Sequence, residues 1–234
     1  MYVIALIQAR MGSSRLPCKM MLSLHGLPVI DWVVKRCAQA RLVDRLMVAV
    51  PDTPLDDVLH RHLQKQNVDV FRGPENDVLK RFVMAANEVA GRRRNVCVLR
   101  VCADNPLIWG PELDRLIDCF ARLPGREKAY AYNHVPLNNL YPDGLGAEIV
   151  SLELLRLLDR KAEHPWQREH CLSYILDNPG EFGITTFDPE DPRLRRPDIK
   201  LDLDTPEDFR KLSLLPIYPE ISPLDLIALF PPTP

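Results

Sequence analysis

The chain has 234 residues, 46% of them hydrophobic and 26% charged, with 30 Lys+Arg against 32 Asp+Glu. That composition excludes a disordered or collagen-like chain, and a formal net charge of -2 argues against a dedicated nucleic-acid binder while leaving room for a local basic pocket. At roughly 100–200 residues per domain the length fits one large domain or two small ones, and no staple or metal is needed to stabilise a core of that size.

Short apolar runs alternate with longer amphipathic ones. Residues 2–7 form a continuous apolar run, as expected of a strand covered on both faces. A helix is expected over 28–40, where Ile30, Val33, Val34 and Cys37 recur at helical spacing, then a strand over 45–50 and a helix over 54–66 opened by Pro54. A short strand at 68–71, a helix over 77–90, a strand over 96–101 and a helix over 111–123 follow. Four strand–helix pairs predict right-handed crossovers and a doubly wound, mainly parallel sheet of Rossmann-like α/β type.

The rhythm breaks after about residue 125. Short strands are expected at 129–133 and 147–150 around a turn-rich 135–146, helices over 151–162 and 166–176, strands at 182–187 and 199–203, and a helix over 205–212. We read 1–212 as a single domain, with 1–124 as its α/β layer and 125–212 as a smaller substrate-side elaboration. Residues 213–234 form a Pro-rich tail: six of the 22 prolines fall in the last 19 residues, around an apolar turn or two of helix at 224–230. Packing over the core and a dimer contact are both open to this tail.

The six cysteines are scattered without a CxxC pair or zinc-like spacing, and the sequence has no Asn-x-Ser/Thr acceptor. The opening MYVIALIQAR lacks a basic n-region and a long h-region, and no apolar run approaches the ~18 residues of a membrane span. Free thiols in a reducing cytoplasm, with no membrane and no nucleic-acid partner, are the expectation.

In open parallel sheets ligands bind beyond the carboxyl ends of the strands, and four polar segments fall there. In the loop QARMGSSRLPCK, Arg10, Arg15 and Lys19 suit a triphosphate, while Gly12 and Ser13 let backbone N–H groups approach its oxygens. A solvated basic loop has the same composition, and neither GxGxxG nor GxxxxGK[ST] is present. In RVCADNPL, Asp104 follows an apolar strand and suits Mg²⁺, which takes one or two carboxylates plus phosphate oxygens; a helix cap is the alternative. In KLDLDTPEDF, Asp204 is either a cap ahead of Pro206 or, with Asp202, half of a literal DxD on one strand face. The fourth segment is YPDGLGAE, an ordinary turn, with REH downstream: Glu148, Arg168 and His170 are candidate liners of an acceptor pocket, and His170 is equally a core histidine.

Singly these signals are weak, but their order is informative. IQARMGSSRLPCK, GPENDVLKRF, RVCADNPLI, YPDGLGAE, REH and LDLDTPEDF together resemble the cytidylyltransferase superfamily of sugar-nucleotide synthetases over roughly residues 3–212. The chain is most similar to the SpsF-type branch, named for spore-coat polysaccharide biosynthesis. The resemblance implies a nucleotide-diphospho-sugar transferase fold, Mg²⁺ as cofactor, CTP and a small acceptor as substrates, and a homodimer. It places Ala9, Arg10, Gly12, Ser13, Ser14, Arg15 and Lys19 on the nucleotide, with Arg10, Arg15 and Lys19 catalytic, and Asp77 near it beside Arg81. It places Asp104 and Asp204 on the metal, and Asp143, Glu148, Arg168, His170 and Lys200 on the acceptor, so that 1–124 is the nucleotide-binding half and 125–212 the acceptor and metal half.

Four positions depart from the family pattern. Cys18 and Ala103 stand where Gly is usual, Gly146 where an acid is common, and Lys200 where Arg is common. The activity implied is Mg²⁺-dependent transfer of CMP from CTP to a sugar acid or phosphorylated small molecule, releasing pyrophosphate. A DxD-type glycosyltransferase and a non-catalytic nucleotide-binding subunit are the alternatives.

Overall fold

In the computed structural model the described residues, 1–231, form a seven-stranded sheet with helices on both faces. Its strands are β1 (Tyr2–Gln8), β4 (Arg45–Pro51), β5 (Val70–Gly73), β6 (Val96–Cys102), β7 (Ala129–Tyr132), β8 (Glu148–Ser151) and β9 (Gly183–Thr186), with a separate two-stranded pair, β2 (Ser23–Leu24) and β3 (Leu27–Pro28). The order across the sheet is β5-β4-β1-β6-β8-β7-β9. The first four strands are parallel; β8 is antiparallel to both β6 and β7, and β9 returns parallel to β7.

Because strand side chains alternate, β1 and β6 feed two cores. Val3, Ala5 and Ile7 of β1, with Cys97, Leu99 and Val101 of β6, pack against α1 (Val29–Cys37), α2 (Asp57–Lys65) and α4 (Gly110–Ala121). Ile4 and Leu6, with Val96 and Val98, pack against α3 (Val78–Ala90), α5 (Leu152–Lys161) and α7 (Ser173–Asp177). Burial on both faces is why these strands read as unbroken apolar runs.

Local chemistry sets most boundaries. Asp77 caps α3 by accepting from Lys80 N, and Ser151 caps α5 by accepting from Leu154 N. Pro54 opens a 3-10 turn that leads into α2. The helix α8 (Pro206–Leu214) begins in a capping box in which Thr205 and Asp208 bond reciprocally.

Two expected elements differ. The helix expected over 166–176 is two short ones, α6 (Pro165–Glu169) and α7, because the chain leaves helical geometry at His170 (ψ 80°). The strand expected at 199–203 is an extended segment with only an isolated bridge between Asp143 and Lys200. Its backbone instead joins two loops: Leu201 N donates to Asp143 O (2.9 Å) and Leu203 N to Asp104 O (2.7 Å).

The C-terminal segment belongs to the main core. Ile217 and Ile221, with Leu226 and Ile227 of α9 (Pro223–Ala228), are buried there, and the buried Arg36 donates to Pro219 O and Ile221 O. Residues 232–234, with two of the tail prolines, lie outside the described residues. No helix among the described residues is long and apolar enough to cross a membrane.

Candidate functional site

At β1 the sheet order reverses: β4 lies on one side and β6 on the other. This is the topological switch point at which open α/β sheets bind ligands. A cavity of about 270 Å³ opens there, walled by Gln8 to Arg10 and Ser13 to Arg15 on one side, Glu169 and His170 on the other, and Arg100, Cys102 and Asp104 from β6 and its loop.

The loop after β1 is held by its own backbone and by one buried acid. Met11 N donates to Asp56 Oδ1 (2.8 Å), Ser13 N and Cys18 N both donate to Met11 O, and Leu16 N donates to Ser13 Oγ. Met11, Leu16 and Met20 anchor it in the core, leaving Arg10, Ser14 and Arg15 exposed. Cys18 sits in the left-handed region (φ 58°, ψ 21°), the conformation for which glycine is suited. The departure from the family pattern at this position therefore carries local strain. The 3-10 turn Lys19–Met21 then aims Lys19 back across the cavity.

Lys19 is the centre of the site. Its Nζ lies 3.3 Å from Asp104 Oδ2, 3.3 Å from Asp204 Oδ1 and 3.0 Å from Leu203 O. Arg15 reaches the other oxygen of Asp204 at 2.9 Å, and Arg10 faces Glu169 at 3.7 Å across the cavity mouth. Two acids exactly one hundred residues apart thus share one ammonium, brought together by the Leu203 N to Asp104 O hydrogen bond just before Asp204.

Asp202 pairs with Lys200 at 3.1 Å and, unlike Asp204, does not line the cavity, although the charges of Asp204 and Asp104 act on it. Asp143 lies half-buried near it; burial first, then the charge of Asp202, push its carboxyl up to about 6. Gly144 between them has φ +90°, and a Cβ there would meet Asp202 N at 2.9 Å.

Several expected site residues lie outside the cavity or are paired with other parts of the fold. Gly12 is exposed in the loop and does not line the cavity. Asp77 caps α3 and is gripped by Arg168, whose guanidinium also binds Asp159; this fork ties α6 to α3 and α5 and leaves Arg168 outside the cavity. The Arg81 guanidinium is fully buried and donates to Pro74 O and Glu75 O, so it acts on Asp77 through charge and not through a side-chain hydrogen bond. Lys200 is held by Asp202 and Asp208. Glu148 is buried, bonded to Arg100 and accepting from the Tyr130 hydroxyl at 2.5 Å. Burial works against its ionisation, but Arg100, His134 and Tyr130 outweigh it and hold the carboxyl at about 2. Gly146 has no room for an acid, since a Cβ would fall 2.1 Å from Asn133 Oδ1. His170 does line the cavity, with its ring 3.8 Å from that of Trp166; partial burial lowers its pKa.

Arg100, Gln8, Cys102 and Glu169 were not assigned from sequence. The available signal was Arg100 itself, a charge inside the apolar run VCVLRV, which an ordinary buried strand does not tolerate unpaired.

A Rossmann-like sheet with a cationic loop and paired acids at its switch point defines a nucleotidyltransferase. The model of the cytidylyltransferase family matches residues 4–225, and the chain belongs to that family. It is 32% identical over 97% of its length to the spore coat polysaccharide biosynthesis protein SpsF of Bacillus subtilis, covering 93% of that protein. Among solved structures it is similar to a cytidylyltransferase from Leptospira borgpetersenii, with 30% identity, a TM-score of 0.84, and coverage of 98% of this chain and 93% of that one. The CMP:2-keto-3-deoxy-manno-octonic acid synthetase complexed with CTP shares the fold at a TM-score of 0.64 and 18% identity, covering 91% and 97% of the two chains.

Proposed function

We propose that this enzyme transfers CMP from CTP to a small anionic acceptor, a sugar acid or a phosphorylated sugar, in surface polysaccharide or related biosynthesis. An acceptor oxygen forms a bond to the α-phosphorus of CTP as the bond to pyrophosphate breaks. The observation that carries this reading is the Lys19 ammonium held between Asp104 and Asp204 at the mouth of a cationic loop.

The same observation tests the site's fit to Mg²⁺. A cation already stands between the two carboxylates, and no group of three or more His, Cys, Asp or Glu able to hold a metal occurs among the described residues. Two carboxylates suit an ion that completes its shell with water and phosphate oxygens. Asp104 and Asp204 would hold it, and when bound it supplies charge neutralisation at those phosphate oxygens. The chain's own task is placement: Lys19, Arg15 and Arg10 exchange their carboxylate partners for triphosphate oxygens, and the Met11–Asp56 anchor keeps the loop in place while they do so.

Pyrophosphate release with CTP, Mg²⁺ and a panel of sugar acids and sugar phosphates tests the proposal. Asp104→Asn and Asp204→Asn should each lose at least ~100-fold in turnover, with melting temperatures close to the parent. Near-normal turnover in both variants would remove the assignment of the acids, and equal rates with UTP or ATP would remove the assignment of CTP.

A further inference from the structure

An acceptor that carries an anion needs a cation in the cavity beyond those committed to the triphosphate. The two basic residues placed on the acceptor by sequence do not meet that need. Arg168 is consumed by Asp77 and Asp159, and Lys200 by Asp202 and Asp208; neither lines the cavity.

Arg100 does line it. The alternation of β6 places Arg100 and Cys102 on the sheet face covered by α3 and α5, and Gln8 of β1 shares that face. The loop cations approach from the other core, anchored by Met11, Leu16 and Met20. Arg100 therefore sits beside Gln8 and Cys102, on the sheet face opposite the core that anchors the loop.

Its orientation is fixed from behind. Nε donates to Gln8 Oε1 at 3.1 Å and Nη1 to the buried Glu148, which the Tyr130 hydroxyl holds from its other oxygen. Nη2 has no protein partner among the described residues, and it is not among the buried unpartnered atoms, so it remains accessible. A guanidinium has five donors in a rigid fork, so an internal carboxylate can fix it while a ligand oxygen takes the remaining edge.

We propose that Arg100 is the anion anchor of the acceptor subsite, binding a carboxylate or phosphate of the acceptor through Nη2. The inference rests on the cytidylyl-transfer reading and adds that the acceptor is recognised by its charge at Arg100. Glu148 is then a positioning residue, which explains why an acid on this strand faces away from the cavity.

The test uses the full chain with Mg²⁺, saturated with the α,β-methylene analogue of CTP so that the triphosphate loop is filled. Calorimetry then measures binding of three probes: 3-deoxy-manno-octulosonate, glucose 1-phosphate and uncharged methyl glucoside. At least one anion should bind and the neutral glycoside should not, and which anion binds separates a carboxylate from a phosphate acceptor. In Arg100→Gln/Glu148→Gln, which replaces the ion pair by a neutral hydrogen-bonded pair, anion affinity should fall roughly 10- to 100-fold, the loss of a charge-assisted hydrogen bond. Analogue affinity should stay within about threefold, a difference well below one such bond. Arg100→Lys keeps a charge opposite Glu148 should the double variant misfold, and it too should weaken the anion while leaving the analogue. Unchanged anion binding in a folded variant overturns the assignment, as does failure of both anions to bind the saturated parent enzyme. Failure of the analogue itself to bind the parent enzyme would overturn the reading of the whole site, and this assignment with it.

Discussion

The two walls of the cavity use charge in opposite ways. On the loop side the outer pairs face solvent: Arg10 reaches Glu169 at 3.7 Å and the Arg15 side chain is 65% exposed, while Lys19 lies deeper between its two acids at 3.3 Å. On the opposite side the pairs are more enclosed: Arg100 with Glu148 and Tyr130 at the cavity, and behind it the Arg168 fork on Asp77 and Asp159. Exposed pairs contribute little to stability and are easily exchanged, whereas enclosed ones are costly to break. The exposed loop cations are free to trade partners, as the proposed triphosphate binding requires, while the enclosed pairs stay in place.

This contrast can be broken by comparing variants from each wall. The largest stability effect is expected for Arg168→Ala, which strands two carboxylates and unties α6 from α3 and α5. A loss of about 2–4 kcal/mol in urea unfolding is expected, against less than ~0.5 kcal/mol for Arg15→Ala. Equal losses in the two variants would erase the distinction between the walls.

Acid stability sharpens it further. Glu148 is held at about 2 in the folded state against 4.5 unfolded. A depressed carboxylate contributes stability that is complete above the unfolded value and is lost as pH falls through the folded one. The parent enzyme should therefore lose stability between pH 4.5 and about 2 through this group. Glu148→Gln should start lower at neutral pH and show a flatter profile across that window, read by thermal melts at each pH. An unchanged profile would mean that the Arg100 pair is not the anchor described.

A small stabilising effect is expected at Cys18. Replacing it by Gly removes left-handed strain of roughly 1–2 kcal/mol but adds backbone freedom to the unfolded chain of roughly 0.5–1 kcal/mol. Cys18→Gly should therefore stabilise by about 0.5–1 kcal/mol, a difference of the two preceding terms, and differential scanning calorimetry would resolve it. A destabilised variant would show that the Cys18 side chain contributes packing that its exposure does not suggest.

The parallel half was readable because strands buried on both faces are uniformly apolar and their helices carry one apolar stripe. The region after residue 125 was less so. Residues 166–176 have helical composition, yet His170 breaks the helix so that α6 can reach α3 while α7 packs in the second core. Residues 199–203 alternate like a strand, but their hydrogen bonds go to the Asp143 and Asp104 loops. Within the site, the loop cations, Asp104 and Asp204 were legible from motif order. Asp77, Glu148 and Arg168 carry the right charges but pair across 91 or 48 residues, and that separation conceals the pairing; Lys200 is instead taken up by its near neighbours Asp202 and Asp208.

By itself the sequence determined the alternating layers, the position of the cationic loop at a strand end, and the family. These follow from local periodicity and from contiguous motifs. Only the tertiary structure decided which charges face the cavity and which support it, because that choice depends on ion pairs such as Arg100 with Glu148 and Arg168 with Asp77, 48 and 91 residues apart. A carboxylate has the same chemistry in either role; what separates the two is whether folding places a cation or open solvent beside it.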